Sequence, residues 1–342
     1  MKSLLFVLLT TVALSAQTFT TLYNFTSPTG PAYPAALVLD AQDNLYGISS
    51  EGGLSGAGTV FKLTTKGVLT TLYSFPAASY PSSLARDIKT GNLYGTTQST
   101  VFKLTYTVKT GKYKYSTLYS NPDSNLSAAM LDQHDNLYGI DNTCLSSENP
   151  CLWEIPAGSA WKDIYDLDAE SGAPYNMFGN VLLNAAGDLY VSAALTDSGG
   201  TAWVQQVGGN YDQFGPAYVT TNALRQDAQG DVYALAWGDY PDDGTYGTVF
   251  KESTASELTV LYTFLDGSQP QGSFSLDKSN NLYGTCYGPT WGIWELTAAG
   301  QFTLLEADTQ INSGLVMDSA GNLYGTTDYG TAGLGSIWKW TK

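Results

Sequence analysis

The side chains best suited to chemistry concentrate in one acidic and aromatic segment, residues 237–246. It supplies three carboxylates and three aromatic rings: Trp237, Asp239, Tyr240, Asp242, Asp243 and Tyr246. Carboxylates hydrogen-bond to sugar hydroxyls, and aromatic rings stack on the apolar faces of sugars. The segment therefore predicts a surface that binds a glycan or a protein ligand, although the same residues could simply cap the fold and keep it soluble.

A second segment, residues 168–175, adds Asp168, Glu170 and Tyr175, and Trp291 completes the set of ligand-binding candidates. A glycosidase needs two carboxylates at a defined separation. Adjacent Asp242 and Asp243 point to opposite sides of an extended chain, which argues against their acting as a pair. A carbohydrate-active hydrolase or lyase is thus the alternative function, a structural envelope-associated protein is a third, and no residue is assigned a catalytic role.

The only histidine, His134, stands in a turn at another edge of the fold. A serine–histidine–acid triad therefore has no histidine on the working face, and a zinc site at the cysteines lacks further ligands. Isolated acids recur along the chain, and calcium requires six or more oxygens. We therefore expect turn chemistry rather than a cofactor, with a calcium ion at Asp239, Asp242 and Asp243 left open.

The elements that must position these residues belong to a repeat that averages about 46 residues, the length of a four-stranded propeller blade. Its mark is Asn-Leu-Tyr-Gly or a close variant, in seven copies whose tyrosines are Tyr46, Tyr94, Tyr138, Tyr190, Tyr233, Tyr283 and Tyr324. Each copy contains short β-type runs, one with an aromatic at a fixed place, and no stretch has helical period. Before the motif, Asp or Asn opens a turn whose fourth place is Gly, Asn or Asp, the types that tolerate positive φ.

The chain ends predict closure of a ring. The last copy stops after its third strand, and an orphan fourth strand, residues 21–25, stands near the N-terminus. Pairing these ends would leave no exposed sheet edge. We expect an all-β, seven-bladed β-propeller of four-stranded antiparallel blades, with residues 17–342 as one domain whose last blade takes the N-terminal strand.

Residues 1–16 read as a secretory signal peptide cleaved near Ala16, because a basic residue precedes a short apolar core and small residues. The core is too short to span a bilayer, so we expect no membrane span. A net charge of −16 without a basic stripe argues against nucleic acid. The expectation is a secreted or periplasmic monomer.

Cys144 and Cys151 flank one short loop, and in an oxidising compartment we expect them to form a disulfide. The third cysteine, Cys286, is expected to be a small packed residue, since no histidine is available to activate its thiol.

Loop lengths distinguish the two faces of the predicted ring. The turns between the first and second strands, and between the third and fourth, are short and uniform. The spacing from the second-strand tyrosine to the third-strand aromatic varies from 8 to 17 residues, and the connections between blades also vary. We call the side that carries these varying connections the variable face and the other side the uniform face. Sites favour variable loops on a rigid scaffold, so the variable face is the expected working face.

Residues 44–75, with Asn44-Leu45-Tyr46-Gly47, Gly52-Gly53, residues 58–64 and Leu72-Tyr73-Ser74-Phe75, resemble the GloVer tandem-repeat family of secreted bacterial proteins. Residues 266–285 resemble the same unit, and the turn before each motif is distantly similar to propellers of the NHL and gluconolactonase type. The resemblance implies a secreted, repeat-built protein and supplies no catalytic residues or metal ligands.

Overall fold

The computed structural model describes residues 17–342 apart from short gaps at 77–78, 145–149, 167–175, 185–186, 196–198, 206–210, 215–219, 238–245, 255–256, 266, 290, 308–310, 312–314 and 329. Every regular element in this part of the chain is a β-strand. None of its segments forms a helix long and apolar enough to cross a membrane.

The described strands form seven four-stranded sheets, here named blades 1 to 7 in chain order. The N-terminal strand is β1 (Thr18–Asn24). Blade 1 contains β2 (Pro31–Leu39), β3 (Leu45–Gly52), β4 (Thr59–Leu63) and β5 (Leu69–Ser74). Blade 2 contains β6 (Pro81–Arg86), β7 (Leu93–Thr97), β8 (Thr100–Thr107) and β9 (Lys112–Ser120). Blade 3 contains β10 (Leu126–Leu131), β11 (Leu137–Asp141), β12 (Cys151–Ile155) and β13 (Lys162–Asp166).

The second half of the chain repeats this plan. Blade 4 contains β14 (Asn176–Leu183), β15 (Leu189–Leu195), β16 (Gly199–Gln205) and β17 (Tyr211–Phe214). Blade 5 contains β18 (Thr220–Gln226), β19 (Val232–Trp237), β20 (Gly247–Glu252) and β21 (Leu258–Phe264). Blade 6 contains β22 (Gln269–Leu276), β23 (Leu282–Tyr287), β24 (Gly292–Leu296) and β25 (Phe302–Ala307). Blade 7 contains β26 (Val316–Met317), β27 (Leu323–Thr327) and β28 (Ser336–Thr341), completed by β1.

The blades follow one another around a ring. The first strand of each blade contacts the first strand of the next, from β2 and β6 through to β22 and β26, and β2 also contacts β26 and β28. Every strand pair within the blades is antiparallel. The all-β propeller of four-stranded antiparallel blades predicted from the repeat is therefore confirmed.

The two ends of the chain meet in blade 7. Strand β1 pairs antiparallel with β28, from Thr18 opposite Thr341 to Asn24 opposite Ser336. The next residue, Phe25, is buried between blades and packs edge-on against Phe61 with ring centroids 5.5 Å apart. This pairing covers an edge that would otherwise be open to other chains.

The Asn-Leu-Tyr-Gly motif makes sense as a packing unit. Its leucine is buried, as Leu45 and Leu282 show. Its glycine lies opposite the third-strand aromatic, Gly47 opposite Phe61 and Gly284 opposite Trp294. A Cβ at Gly47 would lie 2.4 Å from the Phe61 ring and one at Gly284 would lie 2.2 Å from the Trp294 ring, closer than van der Waals contact allows. Only glycine therefore lets the large ring lie flat on the second strand.

Turn chemistry explains the recurring acid. The Asp318 carboxylate accepts hydrogen bonds from the backbone N–H groups of Ala320 and Asn322, from Asn322 Nδ2 at 2.7 Å and from the Tyr324 hydroxyl at 2.9 Å. Burial disfavours its charge, but these hydrogen bonds outweigh burial and hold the pKa of Asp318 below its ordinary value. The predicted positive φ at the fourth turn place is present, for example at Asp43 (φ 58°) and Gly321 (φ 87°).

Side chains also bond one blade to the next near the ring centre. Asn180 of β14 donates to the Leu224 carbonyl at 3.1 Å and accepts from the Leu224 N–H at 2.8 Å. The Thr326 hydroxyl donates to the Pro34 carbonyl at 2.9 Å, which joins blade 7 to blade 1. These bonds satisfy backbone groups that the blade sheets leave open.

The first strands differ from the sequence expectation in extent. In blade 1 the apolar run that ends in an acid, residues 36–40, predicts only the second half of the first strand, because β2 begins at Pro31 and is interrupted by an irregularity between Pro34 and Leu37. Such bulges hid the alternation of buried and exposed side chains on which strand prediction depends. The fourth strand of blade 4, Tyr211–Phe214, was not recognised either.

Candidate functional site

The variable face of the ring is formed as the loop lengths predicted. The β3–β4 and β7–β8 connections lie there, at the ends where the second strands finish, together with described crossings such as the one from blade 2 to blade 3 at residues 121–125. The short turns, such as residues 40–44 and 64–68, lie on the uniform face. Each face is therefore one set of antiparallel strand ends.

An aromatic cluster stands on the variable face of blade 6. Tyr287 ends β23, and Trp291 immediately precedes β24. Their ring centroids are 4.0 Å apart with planes at 77°, an edge-to-face contact. Tyr287 is 46% exposed and Trp291 is half-buried, so Trp291 fixes the orientation of a ring that solvent reaches.

Tyr246 of blade 5 approaches the same corner. A methyl group added at Gly267 would lie 3.2 Å from the Pro289 side chain and 4.0 Å from the Tyr246 ring, so the Tyr246 ring lies near Pro289, which follows Tyr287 by two residues. The N–H of Tyr246 bonds to the Phe264 carbonyl at 2.9 Å, which anchors the residue at the end of blade 5. We name Tyr246, Tyr287 and Trp291 the aromatic cluster.

The remaining ligand-binding candidates are placed only in part. Trp237 ends β19 with its Cα opposite Gly247, one residue from Tyr246, so its main chain lies in the same corner. Five candidates lie outside the described residues: Asp239, Tyr240, Asp242, Asp243 and Tyr175. The alternative acids Asp168 and Glu170 lie outside them too.

The buried carboxylate of the described variable face is structural. Asp141 is 1% exposed and accepts hydrogen bonds from the N–H groups of Asn125 and Thr143 at 2.9 and 3.0 Å. It thereby fixes the crossing from blade 2 to blade 3. All of its bonds run to neighbouring loops, which is the arrangement of a clamp rather than of a general acid or base.

Two tyrosines of this face have unusual backbone conformations. Tyr33, within β2, has φ 53°, and Tyr80, immediately before β6, has φ 46°. Bulky residues adopt this left-handed region at an energetic cost, and such strain clusters at functional sites. Tyr80 is 59% exposed. Sequence patterns carry no signal for this strain, because tyrosine is not a residue type that marks positive φ.

The cysteines were assigned to structural roles by the sequence. Cys144 and Cys151 form a disulfide with their Cα atoms 5.6 Å apart. Together with Asp163 they are the one group of three potential metal ligands among the residues described, but both sulfurs are committed to the disulfide. Cys286 is buried in the core, and its thiol lies 3.8 Å from the Gly292 carbonyl.

The uniform face carries a second kind of cluster that sequence reasoning missed. In blade 1, Asp40 accepts from Asn44 Nδ2 at 2.9 Å and from the Tyr46 hydroxyl at 3.3 Å, and Lys62 Nζ lies 3.8 Å from the same carboxylate. The spacing of Asp, Asn and Tyr, with a lysine after the third-strand aromatic, was visible in the sequence. Blade 3 substitutes Glu154 for the lysine, and burial together with that carboxylate raises the pKa of Tyr138 to about 12.

Comparison with solved structures shows what this ring resembles. Virginiamycin B lyase from Staphylococcus aureus matches 96% of this chain and 100% of its own, with a TM-score of 0.69 and 13% sequence identity. Puromycin hydrolase matches 87% of this chain and 50% of its own, with a TM-score of 0.64 and 10% identity. The extracellular domain of a B. thetaiotaomicron protein described as a hybrid two component system matches 94% of this chain and 40% of its own, with a TM-score of 0.65 and 13% identity.

Identities this low show the shared propeller fold and no more. No family model matches the chain, and no curated protein matches its sequence.

Proposed function

We propose that this chain is a secreted, seven-bladed, non-catalytic propeller that binds carbohydrate on its variable face through the aromatic cluster. One observation carries the proposal: a solvent-exposed tyrosine, Tyr287, is held edge-on by Trp291 on a short connection between two strands. A ring that is both accessible and fixed offers a stacking surface to a sugar at little cost in side-chain entropy.

Two further features support the proposal. The cluster joins two blades, so rigid sheets set the spacing between its rings. The main chain of Trp237 lies opposite Gly247, next to Tyr246, and in the sequence three acids, Asp239, Asp242 and Asp243, stand between Trp237 and Tyr246.

The test is binding of the purified protein to an array of bacterial and plant polysaccharides. We expect at least one glycan to bind, and expect Tyr287→Ala and Trp291→Ala each to weaken binding about fivefold, because a lost stacking contact costs about 1 kcal/mol. Leu54→Ala is the control, since it removes a side chain that is 88% exposed on the same face, in the β3–β4 connection of blade 1.

A protein ligand is the other form of the binding function. If no glycan binds, but a pull-down captures a protein and Trp291→Ala abolishes that capture, the ligand is a protein and not a carbohydrate. Binding that survives both cluster substitutions would remove the site from this corner.

The enzymatic alternative rests on the fold of the neighbours, two of which are enzymes by name. A catalytically inactive form of virginiamycin B lyase carries a histidine-to-alanine change. The one histidine of this chain, His134, lies on the uniform face in the β10–β11 turn, with its side chain 71% exposed and 3.8 Å from Asp132. A histidine-dependent reaction on the variable face therefore has no counterpart here.

A carboxylate-dependent hydrolase or lyase is tested separately. Release of new reducing ends or unsaturated products from a bound polysaccharide, abolished by Asp239→Asn, would establish catalysis and end the non-catalytic proposal. Secretion and the GloVer assignment remain part of the proposal, and an extracellular domain among the structural neighbours is in keeping with secretion.

A further inference from the structure

The turn of blade 2 differs from the turns of blades 1, 6 and 7, and the difference leaves an asparagine amide and a tyrosine hydroxyl without the acceptor that their equivalents have in those blades. In the regular blades the turn aspartate is the common acceptor of the motif. Asp277 of blade 6 accepts from Asn281 Nδ2 at 3.0 Å and from the Tyr283 hydroxyl at 3.3 Å, and Asp318 and Asp40 do the same in blades 7 and 1. The asparagine amide and the tyrosine hydroxyl thus converge on one carboxylate, and in blades 1 and 6 an ammonium group also lies near it, Lys62 Nζ at 3.8 Å and Lys342 Nζ at 3.6 Å.

Blade 2 has a turn one residue longer, and its aspartate is diverted. Between Asp87 and Asn92 stand four residues instead of three, and one of them is Thr90. The Thr90 hydroxyl donates to Asp87 Oδ2, and the N–H groups of Lys89 and Thr90 donate to Asp87 Oδ1. The carboxylate is therefore held inside its own turn.

The donors of blade 2 remain in place. Asn92 uses its Oδ1 to accept from the Tyr106 N–H at 2.9 Å, as its equivalents do, but within the described structure its Nδ2 bonds to no acceptor. The Tyr94 hydroxyl likewise has no hydrogen-bond partner there, although the residue is only 8% exposed. Lys103 Nζ lies 5.0 Å from the centre of the Tyr94 ring and within 4 Å of no carboxylate among the described residues.

These donors line a real cavity. A groove of about 360 Å³ opens between blades 2 and 3, and Asn92, Tyr94 and Lys103 are among its walls. Apolar side chains, including Leu118 and Ile155, form other parts of the wall. The volume is that of a small-molecule site.

The local charge permits an anion despite the acidic chain. Asp135, which also lines the groove, has Lys89 Nζ 3.9 Å away, and the charge of Asp87 is shared among Thr90 and two backbone N–H groups. Among the described residues that line the groove, Lys103 is the cation and has no carboxylate within 4 Å, and its charge together with the unpaired Asn92 amide and Tyr94 hydroxyl favours a negatively charged acceptor.

We propose that this groove binds the carboxylate group of a small acid, with Asn92 Nδ2, the Tyr94 hydroxyl and Lys103 Nζ donating to its oxygens. The bound carboxylate takes the place that the turn aspartate occupies in blades 1, 6 and 7. The apolar wall and the volume fit a free organic acid or a single acidic sugar, and the carboxylate is the chemistry that these two share. This site is separate from the aromatic cluster and does not depend on it.

The experiment titrates the whole mature chain with sodium acetate, D-galacturonate and D-galactose at constant ionic strength, followed by the NMR signals of the Asn92 side-chain amide and the Gly158 N–H. We expect galacturonate to shift both signals saturably and galactose to shift neither. A matching response to acetate assigns the site to free acids as well, whereas a response to galacturonate alone assigns it to a carboxylate carried on a sugar.

Lys103→Met should weaken galacturonate binding about tenfold or more, because a charge-assisted hydrogen bond is lost, and Tyr94→Phe should weaken it severalfold. Lys62→Met is the matched control, since it removes the equivalent lysine from a blade whose aspartate is in place, and it should leave the shifts of the Asn92 and Gly158 signals unchanged. Equal shifts with galactose, no shift with either acid, or undiminished binding in Lys103→Met would each overturn the proposal.

Discussion

At the residue scale, the repeat is explained by a few contacts that recur around the ring. The turn aspartate collects the donors of the asparagine and tyrosine that follow it, and the asparagine oxygen accepts from the next turn, as Asn281 does from the Ala298 N–H at 3.0 Å. The glycine leaves room for the third-strand ring. The polar residues of the motif therefore satisfy one another's hydrogen bonds, and its glycine makes room for the third-strand ring.

Gly284→Ala tests the space requirement. The new Cβ would lie 2.2 Å from the nearest atom of the Trp294 ring, which is fully buried. We expect a loss of about 1–3 kcal/mol in the free energy of unfolding, the usual cost of overpacking a core. Urea unfolding measures it, and Gly30→Ala, where the nearest atom is 3.4 Å from the new Cβ, serves as the control. Equal stability of the two variants would contradict the packing account.

The turn carboxylates make stability depend on acid. Burial opposes ionisation, but hydrogen bonds outweigh it and lower the folded-state pKa of Asp40, Asp277 and Asp318 from 3.8. A pKa depressed by folding contributes stability that is complete above the unfolded value and is lost as the pH falls through the folded value. We therefore expect the free energy of unfolding to fall as the pH drops below about 4.

The measurement is urea unfolding at pH 7, 4 and 3, for the natural chain and for Asp318→Asn. The variant should start less stable at pH 7 and lose less stability between pH 4 and 3, because one depressed carboxyl is gone. An acid limb of equal steepness in both proteins would show that Asp318 does not contribute.

At the element scale, the strands of one blade are joined by the usual antiparallel ladders, but neighbouring blades depend on side chains. Asn180 of β14 bonds both to the N–H and to the carbonyl of Leu224 in β18, and Leu224 is fully buried. Ser273 of β22 performs a similar task for Leu315, accepting from its N–H at 3.0 Å. These contacts hold the first strands at the spacing that places the variable loops.

Asn180→Ala tests this joint. It leaves the buried Leu224 N–H without its acceptor, which costs about 1–3 kcal/mol. We expect that loss in the free energy of unfolding, together with faster hydrogen exchange at the Leu224 amide. Ser116→Ala, which removes an exposed hydroxyl bonded at 3.4 Å within blade 2, should change stability by less than about 0.5 kcal/mol. Unchanged exchange at Leu224 would mean that the joint does not depend on Asn180.

The sequence predicted elements better than sites. Third strands such as Thr59–Leu63 could be located because a fixed aromatic marks them, and Leu69–Ser74 because its pattern repeats. The first strands were placed too short, since bulges such as the one between Gln271 and Ser275 break the two-residue period. The candidate site was predicted as a face and a set of residue types, while the contact between Tyr287 and Trp291 depends on backbone geometry that no spacing reveals.

The groove of blade 2 is a second site that the sequence alone did not predict. The longer turn from Asp87 to Asn92 was visible in the sequence. Its consequence was not, because diversion of the Asp87 carboxylate depends on where the Thr90 hydroxyl lies. An irregular copy of a repeat therefore indicates a functional site only when the structures of the regular copies show which contacts the irregular copy lacks.

At the scale of the whole molecule, ring closure decides every assignment to a face. Blade 7 takes three strands from the C-terminal part of the chain and β1 from the N-terminal part, and Phe25 then enters the core beside Phe61. If β1 were elsewhere, β28 would expose an edge and the strand ends of blades 7 and 1 would lose their common orientation. The variable face, and with it the aromatic cluster, would then have no fixed geometry.

The most direct test is a cross-link between the two ends of the chain. Thr20 and Lys339 lie opposite each other in β1 and β28, so their side chains point to the same side of the sheet. In Thr20→Cys/Lys339→Cys, mild oxidation should give an intramolecular disulfide, detected by mass spectrometry of the unreduced digest. Thr20→Cys/Thr117→Cys, with its second thiol on the outer strand of blade 2, should stay reduced. Failure of the first pair to cross-link in soluble, folded protein would contradict the closed ring.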